Sequence, residues 1–515
     1  MKNQGIIGIC LILTISLKNV VFCLCPIRCQ CNEEKLVVMC DGAGLDVVPI
    51  TLNPDLRELH LARNSIKGIM TAFSVYHSLE YLDMTSNQLV ALGRNNFRLQ
   101  EKLHILLLGH NMISTLYCST FDGLKGLRIL KLTGNFIREL PDGIFVELVS
   151  LEVLDLSENS IDTISKDAFV GLGNLKILLL KDNKLGHVPS SSFGTLSHVL
   201  SIDLDLNNFP ILPEDSFVNL ANLEKLSLGS CGIRKIHKSA FKGLKNLLYL
   251  ILQDNLLDSI PTEAFLYLRK LLELNLGQNY MKAIVSKSFN SLSNIQTITI
   301  NSAPFLERIE SEAFLPNIRL QNIIFNHNKK LSYIDRNAFS SFTLLRAVSL
   351  RGNNFQTFSE DVLPWSDLER FDLRDNPLIC NCSLSWLLHH LQTRNYSESF
   401  DFDLTHIRCE NPPVLRDLML KGLSIDDLRC HEYQTQKILT WSFAAIGILL
   451  VALLVAVLWF RQRTVNDLKI KCSTVIPDSR HENRYRMDNQ LRGGTSQERE
   501  WVVKIGRDPY AGRLV

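Results

Sequence analysis

The side chains with the greatest chemical reach in this 515-residue chain are 13 cysteines and 13 histidines. The cysteines gather at two places. One is Cys25-Pro-Ile-Arg-Cys29-Gln-Cys31 followed by Cys40, and the other is Cys380-Asn-Cys382 followed by Cys409 and Cys430. Thiols this close either bridge as disulfides or hold zinc, and spacing alone leaves the connectivity open. His389-His390 is the one adjacent histidine pair. Neighbours on a helix face apart, so the pair reads as a solvated face rather than a metal site. No G-x-S-x-G, H-E-x-x-H, G-x-x-x-x-G-K or kinase signature occurs. The expectation is a protein without catalytic residues, cofactor or metal, and therefore not an enzyme.

Two apolar segments set the compartment. Residues 1–23 read as a lysine-bearing start, an apolar run from Ile6 to Leu17 and a cut after Cys23, which is a signal peptide. An uncleaved anchor helix is the competing reading, and Lys18 and Asn19 interrupt it. The 23 residues from Ile438 to Phe460 carry no charge and are long enough to span a bilayer. Arg461, Arg463, Lys469 and Lys471 follow, which predicts a cytoplasmic C-terminus, and Trp441 and Trp459 stand near the two interfaces. The expected layout is a single-pass type I plasma-membrane protein in an oxidising compartment, where disulfides are favoured over zinc. Ala452 and Ala456 are a small-xxx-small pair along which two helices could meet as a homodimer. Residues 461–515 hold 12 Lys/Arg against 7 Asp/Glu, while residues 24–460 hold 41 against 46. Outside the tail there is no basic field for DNA or RNA, so no nucleic-acid partner is expected.

The elements that must position these residues are set by a period. Asparagines recur at 64, 87, 111, 135, 159, 183, 207, 255, 279, 328, 353 and 376, with Cys231 and Ala303 filling the two gaps. Each of the fourteen coils reads L-x-x-L-x-L-x-x-N-x-L, as in Leu151, Leu154, Leu156, Asn159 and Ile161, and phenylalanines return from Phe97 to Phe339 at the same interval. The pattern is identified as the leucine-rich repeat. It predicts an α/β solenoid over residues 56–379. A concave parallel sheet should lie on one side, with inward leucines, asparagines satisfying backbone groups at the turns, and phenylalanines under the opposite wall.

A partner is expected on that sheet, at the positions between the leucines. There Tyr81, Ile105, Ile129, Val153 and Ile177, with Leu107 and Leu179 two positions on, form an apolar band rimmed by His104, Arg128, Lys131, Glu152, Asp155 and Lys176. Such a band with a charged rim is how a protein interface often looks, although apolar residues are also common at this position in ordinary repeats. Asn395-Tyr-Ser and Asn381-Cys-Ser are the glycosylation candidates, the second lodged between cysteines. Cys472 is a lipidation candidate, Tyr485 and Tyr510 could be phosphorylated, and the tail composition suggests disorder. Cys118 and Cys231 lie five coils apart, about 24 Å along a sheet with the usual strand spacing, too far to bridge.

The two cysteine clusters flanking the repeats resemble the N- and C-terminal caps of extracellular leucine-rich-repeat proteins. That resemblance implies pairing of Cys25 with Cys31, Cys29 with Cys40, Cys380 with Cys409 and Cys382 with Cys430. The resulting division is a cap over 24–55, repeats over 56–379, a second cap over 380–430, a linker over 431–437, a span over 438–460 and a tail over 461–515. Together these features resemble the leucine-rich-repeat adhesion and recognition receptors, and the stretch from Ser302 to Phe314 and the brief tail are most similar to the Tartan and Capricious type. The resemblance implies cell-surface recognition of an extracellular or cell-surface protein, with no catalysis. Two other functions fit the same layout. One is a ligand-capturing co-receptor in innate immunity or hormone sensing, and the other is an auxiliary subunit of a membrane channel.

Overall fold

The computed structural model describes residues 25–339, 342–393 and 406–472. Two compact units divide the chain, Met1–Gln434 and Thr435–Val515. The first unit is a leucine-rich-repeat solenoid.

Its sheet has sixteen strands. Gln30–Asn32 and Val37–Met39 form an antiparallel hairpin, and fourteen three-residue strands, from Glu58–His60 to Arg370–Asp372, then follow in parallel order. The register never slips along these fourteen strands: Leu59, Leu82, Leu106, Leu130, Leu154 and Leu178 stand opposite one another and are fully buried. A one-residue slip would turn every central leucine out of the core, so the apolar alternation holds the register.

The phenylalanines form the opposite wall. Phe145, Phe169 and Phe193 stack with ring centroids 6.4 Å apart, and Phe217, Phe241 and Phe265 with 6.2 and 6.5 Å. Strands in a sheet repeat at about 4.8 Å. The phenylalanine wall is therefore the longer path per coil, which curves the solenoid with the sheet inside.

Asparagines tie coil to coil. Asn159 Nδ2 donates to the carbonyls of Leu132, Leu156 and Ser157 at 3.0 to 3.1 Å, while its Oδ1 accepts from the N–H of Ile137 at 3.1 Å. Each such residue is buried with its polar atoms partnered, which a turn of buried backbone requires. One residue before each asparagine the chain takes a left-handed conformation, as at His110, Glu158 and Asp254 (φ 54 to 55°). At Gly134, where φ is +68°, a Cβ would also meet the His110 ring, so glycine suits this coil where others carry a side chain.

Four disulfides close the two ends: Cys25–Cys31, Cys29–Cys40, Cys380–Cys409 and Cys382–Cys430. At the C-terminal end the helix Ser385–Thr393 buries Leu387, Leu388 and Leu391, and Trp386 packs on Trp365 with centroids 5.0 Å apart. His389 and His390 lie on this helix, and His390 lies 6.0 Å from the Phe371 ring. Among the described residues there is no cluster that could hold a metal ion.

A single helix runs Cys430–Cys472 and takes in residues 431–437. Within it, Leu439–Gln462 is long and apolar enough to cross a membrane, with Trp441 and Phe460 exposed by 70% and 61%. So much exposed apolar surface on a helix suits hydrocarbon rather than water. The signal-peptide reading at 1–23, the sequon at Asn395 and the tail from 473 onward, with Tyr485 and Tyr510, lie outside the described residues. Cys472 ends the helix.

Candidate protein-binding surface

Each strand of the sheet sends its middle residue into the core and its first and third residues outward. Tyr81, Ile105, Ile129, Val153 and Ile177 occupy the first positions of five consecutive strands and pair directly across the ladder. Four of them are half-buried and Ile177 is exposed. In the third positions stand Asp83, Leu107, Lys131, Asp155 and Leu179, so the apolar surface widens at Leu107 and Leu179 and is crossed by two charges between them.

The rim beside the first positions is ionic. Lys176 Nζ lies 2.6 Å from Glu152 Oε2, and this hydrogen bond and charge, with a smaller contribution from Arg128, hold the exposed Glu152 carboxyl below its usual range. His104, Arg128, Glu152 and Lys176 line a shallow groove along this edge. Arg57 and Glu80 pair more loosely at 3.8 Å. Exposed pairs of this kind add little to stability and are free to re-pair with a partner's charges. At the N-terminal edge of the band the His60 ring tilts over Tyr81 at 4.7 Å. Burial, and then the charge of Asp83, raises the Tyr81 phenol.

Reading the strands alone passed over three features. Leu248, Tyr249, Ile251 and Leu272 make a second outward apolar cluster, in which Tyr249 is 37% exposed. On the flank after the ladder asparagines, Met112 and Phe136 stand 49% and 58% exposed, and Val90 is exposed as well. Between the two strand-face clusters lies an acidic seam. Asp205 Oδ1 accepts from Ser227 Oγ at 2.5 Å and Gly229 N at 2.6 Å, and burial pushes the neighbouring Asp203 carboxyl up. A row-by-row alignment of the coils at their asparagines contains all three features, because residues at the same place in successive coils are neighbours in space.

Of the two cysteines outside the caps, Cys118 is exposed and Cys231 buried. Cys231 stands in the asparagine ladder, its Sγ 3.2 and 3.3 Å from the Leu204 and Gly229 carbonyls, and burial pushes its thiol up to about 12. Asn381 is exposed, and its Oδ1 accepts from Ser383 N and Oγ at 2.9 and 2.7 Å.

Comparison with known proteins places this geometry. A leucine-rich-repeat model matches residues 77–137, 125–185, 173–233 and 221–281, and a BspA-type leucine-rich-repeat region matches 258–381. The oligodendrocyte-myelin glycoprotein of Homo sapiens is 27% identical over 155 residues, 26% of this chain and 35% of that protein. Podocan-like protein 1 of Homo sapiens is 42% identical over 83 residues, 16% of each. The match thus spans about a third of the first relative and a sixth of the second. Among solved structures, the TLR13–ssRNA13 complex aligns with TM-score 0.55 at 22% identity, over 74% of this chain and 55% of that one. The LRIM1/APL1C complex aligns with TM-score 0.55 at 20% identity, over 82% and 75%. At these identities the two structures speak for the fold alone. Repeat models cover the chain from residue 77 to 381 and a disulfide pair closes each end of the sheet, so the chain is a leucine-rich-repeat protein.

Proposed function

We propose that this protein is a cell-surface recognition receptor that binds a protein partner through the strand face of coils 2 to 6. The observation that carries this reading is the register-matched row Tyr81, Ile105, Ile129, Val153, Ile177, an outward apolar stripe inside an ionic rim. Desolvating such a stripe supplies affinity, and the alternating rim charges supply orientation and selectivity. The partner is an extracellular or cell-surface protein rather than a small ligand, because the stripe is open along its length. The layout we propose places the solenoid and its caps outside the plasma membrane after removal of residues 1–23, Leu439–Gln462 in the bilayer and the basic tail in the cytoplasm. Asn395 and Asn381 are then the glycan sites and Cys472 a lipid attachment site. Cell–cell adhesion of the Tartan and Capricious kind is the role we assign to that layout.

The test expresses the full chain on non-adherent cells and scores clustering among expressing cells and with untransfected cells. Clustering that disappears in Ile105→Glu and Ile129→Glu, at unchanged surface level, is the expected result. Clustering that survives both substitutions puts the interface elsewhere, and its absence in every mixture removes the adhesion role.

A further inference from the structure

Beyond the strand face, the flank of coils 8 to 12 carries an aromatic ladder with one rung unfilled. Lys330 Nζ of coil 12 sits 4.8 Å over the ring of Phe305 in coil 11. Phe305 in turn tilts against Tyr280 of coil 10, with centroids 5.5 Å apart. On the next side of Tyr280 the residues after the ladder positions shrink to Leu256 and Gly232, and a groove of about 340 Å³ opens, lined by Tyr280, Leu256, Gly232, Gln278, Asp254 and Ser230. Tyr280 is 43% exposed. On the wall of the groove Asp254 is held by Ser230, whose Oγ donates to Oδ2 at 2.7 Å.

We propose that this groove is a binding site for a basic side chain, arginine above lysine, presented by a protein partner. Its chemistry is a carboxylate oriented by a hydroxyl, a phenol ring face and an amide from Gln278, in a slot the size of one long side chain with its water. A guanidinium is planar. It can stack on Tyr280 while its edge donates to Asp254, and the neighbouring rung, where Lys330 covers Phe305, shows the same rail accepting a cation within its own chain. Anionic side chains find no match because of Asp254, and a purely apolar side chain would bury the Asp254 carboxylate and the Gln278 amide without a partner. The site lies in coils 8 to 11 and is independent of the apolar stripe in coils 2 to 6.

The experiment uses the full-length protein in lipid nanodiscs and two probes, acetyl-Gly-Arg-Gly-amide and the same peptide with citrulline, which keeps the shape and removes the charge. Saturation-transfer NMR should detect the arginine peptide and show binding at least about five-fold weaker for citrulline, as loss of a charge-assisted contact implies. Asp254→Asn, which keeps an acceptor for Ser230, and Tyr280→Leu should each weaken the arginine probe by a similar factor, while Ile105→Glu leaves it unchanged. The proposal is overturned if citrulline binds as well as arginine, if either groove substitution leaves arginine binding intact, or if the arginine peptide gives no transfer.

Discussion

Coils 2 to 6 and coils 8 to 12 share one scaffold and carry different surfaces. In the first group the asparagine ladder is unbroken from Asn87 to Asn183, and the strands present an apolar stripe among charges. In the second the ladder is broken at Cys231 and Ala303, and the outward rows from Gln296 to Asn326 are uncharged. There the side chains bond one another, Asn275 to Gln253 at 2.8 Å and Asn322 to Thr297 at 3.1 Å. At one of these two ladder breaks another group takes over the lost bond. At Cys231 the backbone does so: its carbonyl accepts the Phe209 N–H at 2.8 Å, the donor that an asparagine side chain satisfies in other coils. Outward positions have no such bond to keep, so binding chemistry can differ within one molecule while the register stays the same.

Four experiments would break or sharpen this contrast. The largest effect is expected on binding: Ile105→Glu or Ile129→Glu should weaken partner binding on cells by roughly a hundred-fold, the scale of a lost hot spot. Thr297→Glu on the neutral face should leave it unchanged, and equal losses would erase the distinction between the two faces. Next comes stability. Asn159→Ala removes four buried hydrogen bonds and should cost about 3 kcal/mol in urea unfolding, whereas Cys231→Ala should cost about 1 kcal/mol, since only weak thiol contacts go. A similar cost at both sites would mean the cysteine holds the ladder as firmly as an asparagine. Thiol chemistry gives a graded readout of the same position. With its thiol pushed up to about 12, Cys231 should resist iodoacetamide in the native protein at pH 8, while the exposed Cys118 is labelled in peptide maps. Rapid native labelling of Cys231 would contradict its burial.

The smallest effect is a pH dependence at the seam between the two groups. Burial, followed by the like charge of Asp205, holds the Asp203 carboxyl above 3.8 in the folded state. A carboxyl raised on folding stabilises the protein below its unfolded value and loses that contribution as pH rises through the folded one. Asp203→Asn, which retains an acceptor for the Asp205 N–H, should therefore raise the melting temperature at pH 7 by a few degrees. The gain should vanish below pH 3.8, and a gain that persists at acid pH would show that charge is not its cause.

The inner architecture was legible because it repeats. The period of leucines, asparagines and phenylalanines dictates a coil, and no single coil can bury its own core, so stacking follows. Two of its exceptions were not legible. Gln100 and Asn317 stand where other coils carry leucine, buried, with Gln100 Nε2 donating to the Phe73 carbonyl at 2.6 Å and Asn317 Nδ2 to the Phe289 and Leu292 carbonyls at 2.8 and 2.9 Å. An amide in a leucine slot reads as a misfit until the carbonyls of the preceding coil are seen beside it. Phe73 opens the aromatic wall one period before Phe97, and Tyr76, in the place of a later leucine, reaches back to the Pro49 carbonyl. The apolar stripe came from adjacent strand positions and could be written down in advance. The groove beside Tyr280 could not, because it exists through the absence of bulk at Gly232 in a coil two turns away and through a ring from the coil beyond. Local order along the chain sets which side chains point inward. Which outward side chains become neighbours, and what space they leave between them, is decided only when the coils stack.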